Sequence, residues 1–180
     1  MNSLLLYPYL MVRRNQWYRL ITHAFIHADW MHLIFNMIAL WSFGRFVFYA
    51  LTDMTAFPVQ HGLIMYFAAI VFSSLPDIVK KKGNPDYASL GASGAVSAVV
   101  FFSILIDPWT LLYVFFIPCP GIVFGIVYLL YSNYMSKKGG DIINHGAHLY
   151  GAIFGLLYPL FVHPAMYMDF IYKLLHPNFL

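Results

Sequence analysis

Long intervals without charge constrain this chain more than any other feature. No Asp, Lys or Arg occurs in residues 54–76, 87–106, 108–136 or 142–168, and the sequence contains no Glu at all. Each interval is at least as long as the roughly 20 residues a helix needs to cross about 30 Å of hydrocarbon. A charge at mid-bilayer costs about 2.5–3.5 kcal/mol on insertion scales, so its absence over such lengths is informative. Residues 31–51 form a fifth candidate, interrupted only by Arg45, which lies near its end and can snorkel to the headgroups. The pattern predicts an all-α, polytopic membrane helix bundle with about five spans, at 31–51, 60–76, 91–106, 115–135 and 146–163.

Composition removes the alternatives. Of 180 residues, 61% are apolar and 9% charged, against roughly a quarter charged in an ordinary soluble domain. A soluble chain of this size cannot hide so much apolar surface, which excludes a soluble enzyme, a disordered chain and a coiled coil. The net charge of +3 is small and no basic stripe runs along one helix, so no nucleic acid is expected as a partner. A single cysteine, Cys119, excludes an internal disulfide framework and a multi-cysteine zinc site.

The chain reads as one domain over 1–180: an interfacial segment and loop at 1–29, a helical core at 30–163 and a tail at 164–180. Turn chemistry punctuates it at 77–90 (a Lys run, then Gly83, Asn84 and Pro85), at Asp107-Pro108 and at 136–144 with Gly139 and Gly140. Pro118 and Pro120 are expected to irregularise the start of the fourth span. Residues 1–29 hold Arg13, Arg14, Arg19, Trp17 and three tyrosines, which suits headgroup depth rather than a span.

Polar residues inside the spans are the functional candidates. His32 and Asn36, four apart, share a helix face, a pattern equally compatible with hydrogen bonds to neighbouring helices. Ser93 sits in Gly91-Ala92-Ser93-Gly94 at a helix start, where unpaired N–H groups can stabilise an oxyanion. Read alone, that string is also a small-residue packing motif. His148, Gly151 and Gly155 share one face of the last span, and the glycines would let it press against Gly94 and Ala98, bringing His148 beside Ser93.

With those residues in place, the chain resembles the rhomboid family of intramembrane serine proteases. The resemblance is carried by Gly91-Ala92-Ser93-Gly94, by His145-Gly146-Ala147-His148 with Gly151 and Gly155, and by Trp17-Tyr18-Arg19-Leu20-Ile21-Thr22-His23 leading to His27, His32 and Asn36. It covers about residues 13–160. The resemblance implies Ser93 as nucleophile and His148 as general base in a dyad without a third acid. It also implies an oxyanion hole from His32, Asn36 and the Ser93 N–H. The implied substrates are transmembrane segments of other proteins in the lipid bilayer, cleaved without metal or cofactor. Zinc chemistry fits poorly, because His23 and His27 flank Ala24 where the HExxH motif requires Glu. His23 and His27 are instead expected to organise the first loop, and His61, His163 and His176 to lie at the interface.

The match departs from the family in places. Five spans are found where the family core has six, and no counterpart precedes the loop matching 13–29. Many relatives carry Tyr four residues after the nucleophile, stacked under the base; here Ser97 stands there, its hydroxyl expected to bond back one turn. Phe48 replaces a Glu that relatives often carry. The family orientation puts Ser93, His148 and loops 77–90 and 136–144 on the extracytoplasmic side. Those loops and the N-terminal segment hold eight of the ten Lys and Arg, against the positive-inside rule. The location implied is an integral multi-pass position in the plasma membrane. A non-catalytic rhomboid-like client-binding protein is the alternative, and an intact Ser93 and His148 argue against it. A small transporter or channel would account for polar residues in the spans but not for GASG paired with GAH.

Overall fold

A computed structural model describes residues 3–114, 117–138 and 143–177. Two short helices, α1 (Pro8–Arg14) and α2 (Arg19–Thr22), and a 3-10 turn at His23–Phe25 precede the long helices α3 (Trp30–Met54) and α4 (Pro58–Lys81). Next come α5 (Ser93–Ile106), a β-hairpin of β1 (Leu111–Val114) and β2 (Ile117–Pro120), and α6 (Gly121–Lys138). The chain closes with α7 (His145–Leu157), α8 (Pro159–Val162) and α9 (Met166–Leu175).

The central post is α5, whose side chains from Gly94 to Leu105 are all buried. Its N-terminal half is small (Gly94, Ala95, Ala98) and its C-terminal half is large, with Phe102 and Leu105 completing the core beside Val47, Leu51, Met65, Tyr158 and Met166, and Phe101 packing in a second cluster with Val96, Ile104 and Ala152. The small half faces α7, and there Gly151 and Gly155 permit backbone contact. A methyl at Gly151 would overlap the Gly94 carbonyl, and one at Gly155 the Ala98 carbonyl. Outward faces are apolar instead of polar: α3 exposes Trp30, Ile34, Phe35, Ile38 and Trp41. That inverts the rule for soluble surfaces. By length and composition α3 and α4 can each cross a membrane, whereas α5 is apolar but shorter.

Several expectations change. The helix expected from 115 begins at Gly121, because residues 111–114 and 117–120 pair as antiparallel strands, with Leu112 opposite Cys119 and Tyr113 opposite Pro118. In a helix begun at 115, Pro120 would fall beyond the first turn, lacking the donor for its turn and clashing one turn back, so the helix starts after it; the bundle is helical as expected, with this short hairpin added. The fifth span, read as 146–163, is broken at Tyr158-Pro159 into α7 and α8. Lys80 and Lys81, read as linker, end α4, which runs on through Pro76. The tail contains α9, packed on the core through Met166 and tied to α5 by Lys173 Nζ, which donates to the Ile106 carbonyl at 2.8 Å. His61, in the first turn of α4, lies with Nδ1 3.2 Å from the Tyr158 hydroxyl, a contact the sequence did not show. The turn expected at Gly139 and Gly140, and Asp141 beside it, lie outside the described residues.

Candidate active site

Gly91 sets up the start of α5. Its φ of +109° is a left-handed conformation that glycine adopts at little cost, and its N–H is held by the His23 carbonyl at 3.0 Å. The missing side chain matters equally: a Cβ there would lie 2.8 Å from His32 Cε1 and 3.1 Å from His32 Nε2. The His32 ring therefore rests on Gly91, next to Ser93. No side chain caps α5, so the N–H groups of its first turn point towards the same place without intrahelical partners.

The close approach of α5 and α7 brings Ser93 Oγ to 2.6 Å from His148 Nε2, hydrogen-bond range for a nucleophile and its base. Nothing among the described residues gives His148 a carboxylate partner. A ring packs on it instead: Tyr128 of α6 lies nearly parallel to the imidazole, at 18°, with centroids 6.2 Å apart. Three residues along, Tyr131 meets His145 edge-on at 5.3 Å. The two rungs match because α6 and α7 run antiparallel with equal spacing, 128 to 131 against 148 to 145.

On α3, Asp29 caps the helix by accepting from the His32 N–H at 2.7 Å, which fixes the backbone from which the imidazole projects. The Ala28 N–H faces His32 Nδ1 at 3.4 Å. This leaves Nε2, the atom against Gly91, as the protonated nitrogen and a donor. Asn36 is buried one turn on, and one of its amide protons goes to the His32 carbonyl at 2.8 Å. Thus Ser93, His148 and His32 converge, and Asn36 lies one turn further along α3 with one donor committed to its own helix.

The first loop is organised around His23, as expected. Its Nδ1 lies 3.0 Å from the Arg19 carbonyl and its Nε2 3.3 Å from Ser74 Oγ. Burial holds its pKa below the ordinary value, so the neutral ring is favoured. A small polar cavity of about 10 Å³ opens behind Ser93, lined by His23, Ser73, Ser74, Ser89 and Asn144 among others.

Sequence reasoning missed the node that holds α7. Asn144 caps α7 by accepting from the Ala147 N–H at 3.0 Å. Its Nδ2 faces Asp77 Oδ2 at 2.6 Å, Ser89 Oγ at 3.0 Å and Tyr87 OH at 3.2 Å. Tyr87 itself donates to Asp77 at 2.8 Å. Asp77 and burial together push the Tyr87 phenol up, burial contributing more. One amide thus joins the end of α4, the loop before Ser93 and the helix carrying His148. An Asn just before an apolar helix signals the cap; its distant partners leave no local signal.

Fold and site together define a helical membrane protein with a serine and a histidine in hydrogen-bond contact inside an apolar bundle. The rhomboid domain profile matches residues 14–165, and the chain belongs to the rhomboid family. It is 32% identical over 149 residues to RHOMBOID-like protein 12, mitochondrial, of Arabidopsis thaliana, covering 74% of this chain and 43% of that protein. Rhomboid protein 1, mitochondrial, of Saccharomyces cerevisiae is 28% identical over 158 residues, covering 82% and 42%. Rhomboid protease GluP of Bacillus subtilis is 33% identical over 90 residues, covering 48% and 15%. The chain spans less than half the length of these curated relatives. The family includes serine intramembrane proteases.

Proposed function

We propose that the chain is an intramembrane serine endopeptidase that cleaves transmembrane segments of other membrane proteins with a Ser93–His148 dyad. The observation that carries this reading is the 2.6 Å contact between Ser93 Oγ and His148 Nε2 at the open N-terminus of α5. In the first step His148 Nε2 takes the Ser93 proton as Oγ bonds to the scissile carbonyl carbon, moving the C=O electron pair onto oxygen. The oxyanion is held by the Ser93 N–H, His32 Nε2–H and the Asn36 amide, donors that act strongly in a dry site. Collapse breaks the C–N bond, and His148 delivers its proton to the departing amine. Water then enters, gives a proton to His148 and adds to the acyl carbon; collapse breaks the bond from that carbon to Ser93 Oγ, His148 returns the proton to Oγ, and the peptide leaves as a carboxylic acid.

Two features support water reaching this depth. With 14 residues, α5 rises about 21 Å, short of about 30 Å of hydrocarbon. Its far end is the polar Asp107 turn, where Thr110 Oγ1 donates to the carboxylate at 2.6 Å, which puts Ser93 about 10 Å below the opposite surface. The cavity behind Ser93 is about the size needed for one water centre and has the polar partners a water requires.

The host membrane is assigned separately. The sequence reading favoured the plasma membrane, whereas two of the relatives named above are mitochondrial proteins. Fractionation of the tagged full-length protein decides between them.

The test of the catalytic reading is labelling of the detergent-purified protein by a fluorophosphonate. The wild type is expected to label, and Ser93→Ala and His148→Ala are not. A folded wild type that fails to label would move the assignment to a non-catalytic, client-binding member of the family.

A further inference from the structure

We propose that Tyr128 is the positioning residue for the base His148, and that Ser97 locks Tyr128 into that role. This rests on the protease reading of Ser93 and His148. In a three-residue triad the orientation of the imidazole is set by an acid bonded to its other nitrogen. Here no carboxylate reaches His148 among the described residues, so its orientation must come from packing. The Tyr128 ring supplies it, in an offset-stacked geometry with planes 18° apart and centroids 6.2 Å apart.

The ring is held from both ends. Phe101 and Phe124 pack on it with centroids at 5.4 Å and 5.5 Å. Its hydroxyl lies 2.6 Å from Ser97 Oγ. Ser97 donates its single proton to the Ser93 carbonyl at 2.8 Å, so its oxygen accepts from the phenol. The contacts therefore form a closed circuit: Ser93 Oγ to His148, His148 to Tyr128, Tyr128 to Ser97, and Ser97 back to the Ser93 carbonyl. Three helices, α5, α6 and α7, each contribute, so a displacement of the base relative to the nucleophile has to break one of the four links.

This arrangement accounts for the departure at position 97. A tyrosine four residues after the nucleophile would project its ring from α5 itself. With the small Ser97 there, the space beside His148 is taken by a ring from α6, and the serine hydroxyl becomes that ring's anchor.

The test uses the full chain in detergent, with Tyr128→Phe, Tyr128→Leu, Ser97→Ala and the double variant Ser97→Tyr/Tyr128→Ala. Two readouts are taken on each: the rate of fluorophosphonate labelling, and the Cε1–H signal of His148 in ¹³C-histidine-labelled protein, assigned by its loss in His148→Ala. The NMR signal senses the ring current of Tyr128 whether or not the protein is catalytic. Tyr128→Leu is expected to move the signal and to slow labelling by about 10²-fold, the scale of a 1 Å misplacement. Tyr128→Phe and Ser97→Ala keep the ring but lose its anchor, and are expected to slow labelling by about fivefold. The double variant, which returns a ring to His148 from α5, is expected to recover at least a tenth of the wild-type rate. An unmoved signal in Tyr128→Leu would overturn the contact. A moved signal with labelling within twofold of wild type would overturn the positioning role. If Tyr128→Leu does not fold, Ser97→Ala carries the same two readouts, and wild-type values for both overturn the proposal. A wild type whose His148 signal depends on Tyr128 but which does not label would instead remove the protease reading, so the two failures are told apart.

Discussion

Replacing Gly151 by Ala tests whether backbone contact between α5 and α7 is what assembles the dyad. The added methyl would lie 2.7 Å from the Gly94 carbonyl carbon and 3.0 Å from its Cα, and would overlap its oxygen. Carbon atoms in ordinary contact sit about 3.5–4.0 Å apart, so α7 has to retreat by about 1 Å. Neither neighbour can yield by rotation, since both are backbone. The same retreat stretches the Ser93–His148 contact from 2.6 Å to about 3.5 Å, past useful hydrogen-bond length. A misplacement of that size costs about 10²-fold in rate, and overpacking of this kind costs about 1–3 kcal/mol of stability. Gly62→Ala is the control, because its methyl would meet only Leu51 Cδ1, at 3.9 Å. The assay is the rate of fluorophosphonate labelling beside the thermal midpoint of each variant. Gly151→Ala should label about 10²-fold more slowly while Gly62→Ala labels as wild type. Wild-type labelling by a folded Gly151→Ala would refute the reasoning.

Other consequences follow from the same geometry. Asn36→Ala should slow peptide cleavage by about 10²-fold or more, the usual loss for one oxyanion donor; unchanged turnover would remove Asn36 from that role. Asn144→Ala should lower stability by about 1–2 kcal/mol through loss of the α7 cap, read as a drop in thermal midpoint. Asn144→Asp keeps the cap but sets a carboxylate against Asp77, so it should be no better than Ala at pH 7. For His23, burial lowers the folded-state pKa below the unfolded value of about 6.5. Its contribution to stability is therefore complete above about pH 6.5 and is lost as pH falls through the lowered folded value. Thermal midpoints measured from pH 7.5 to pH 5 should fall for wild type and fall less for His23→Asn; parallel curves would contradict the assignment.

Much of this site was legible in the sequence because its parts are local. Charge-free intervals locate α4 and α5, an apolar run broken only by Arg45 locates α3, and the offsets 148, 151 and 155 lay one histidine and two glycines on a single face. Those glycines do meet Gly94 and Ala98, and Ser97 does bond back to the Ser93 carbonyl. The pairing of β1 with β2 was not legible from charge, because an uncharged apolar run looks alike as strand or span; the two prolines carried the better signal. The ends of α4 and α7 were misplaced because charge set the bounds: the interval ending before Asp77 stops short of α4, which runs on to Lys81, while Pro159, inside the uncharged interval 142–168, follows the end of α7. Tyr128 and Asp77 escaped because their roles depend on partners 20 and 67 residues away, at His148 and Asn144. Only the antiparallel register of α6 on α7 and the meeting of three elements reveal them.

The central claim is that Ser93 is a nucleophile activated by His148. Its most direct measurement is mass spectrometry of the purified protein after fluorophosphonate treatment, with the adduct mapped by peptide sequencing. One adduct is expected, on Ser93, which disappears in Ser93→Ala and forms far more slowly in His148→Ala. An adduct on another residue, or equal labelling of wild type and Ser93→Ala, would contradict it.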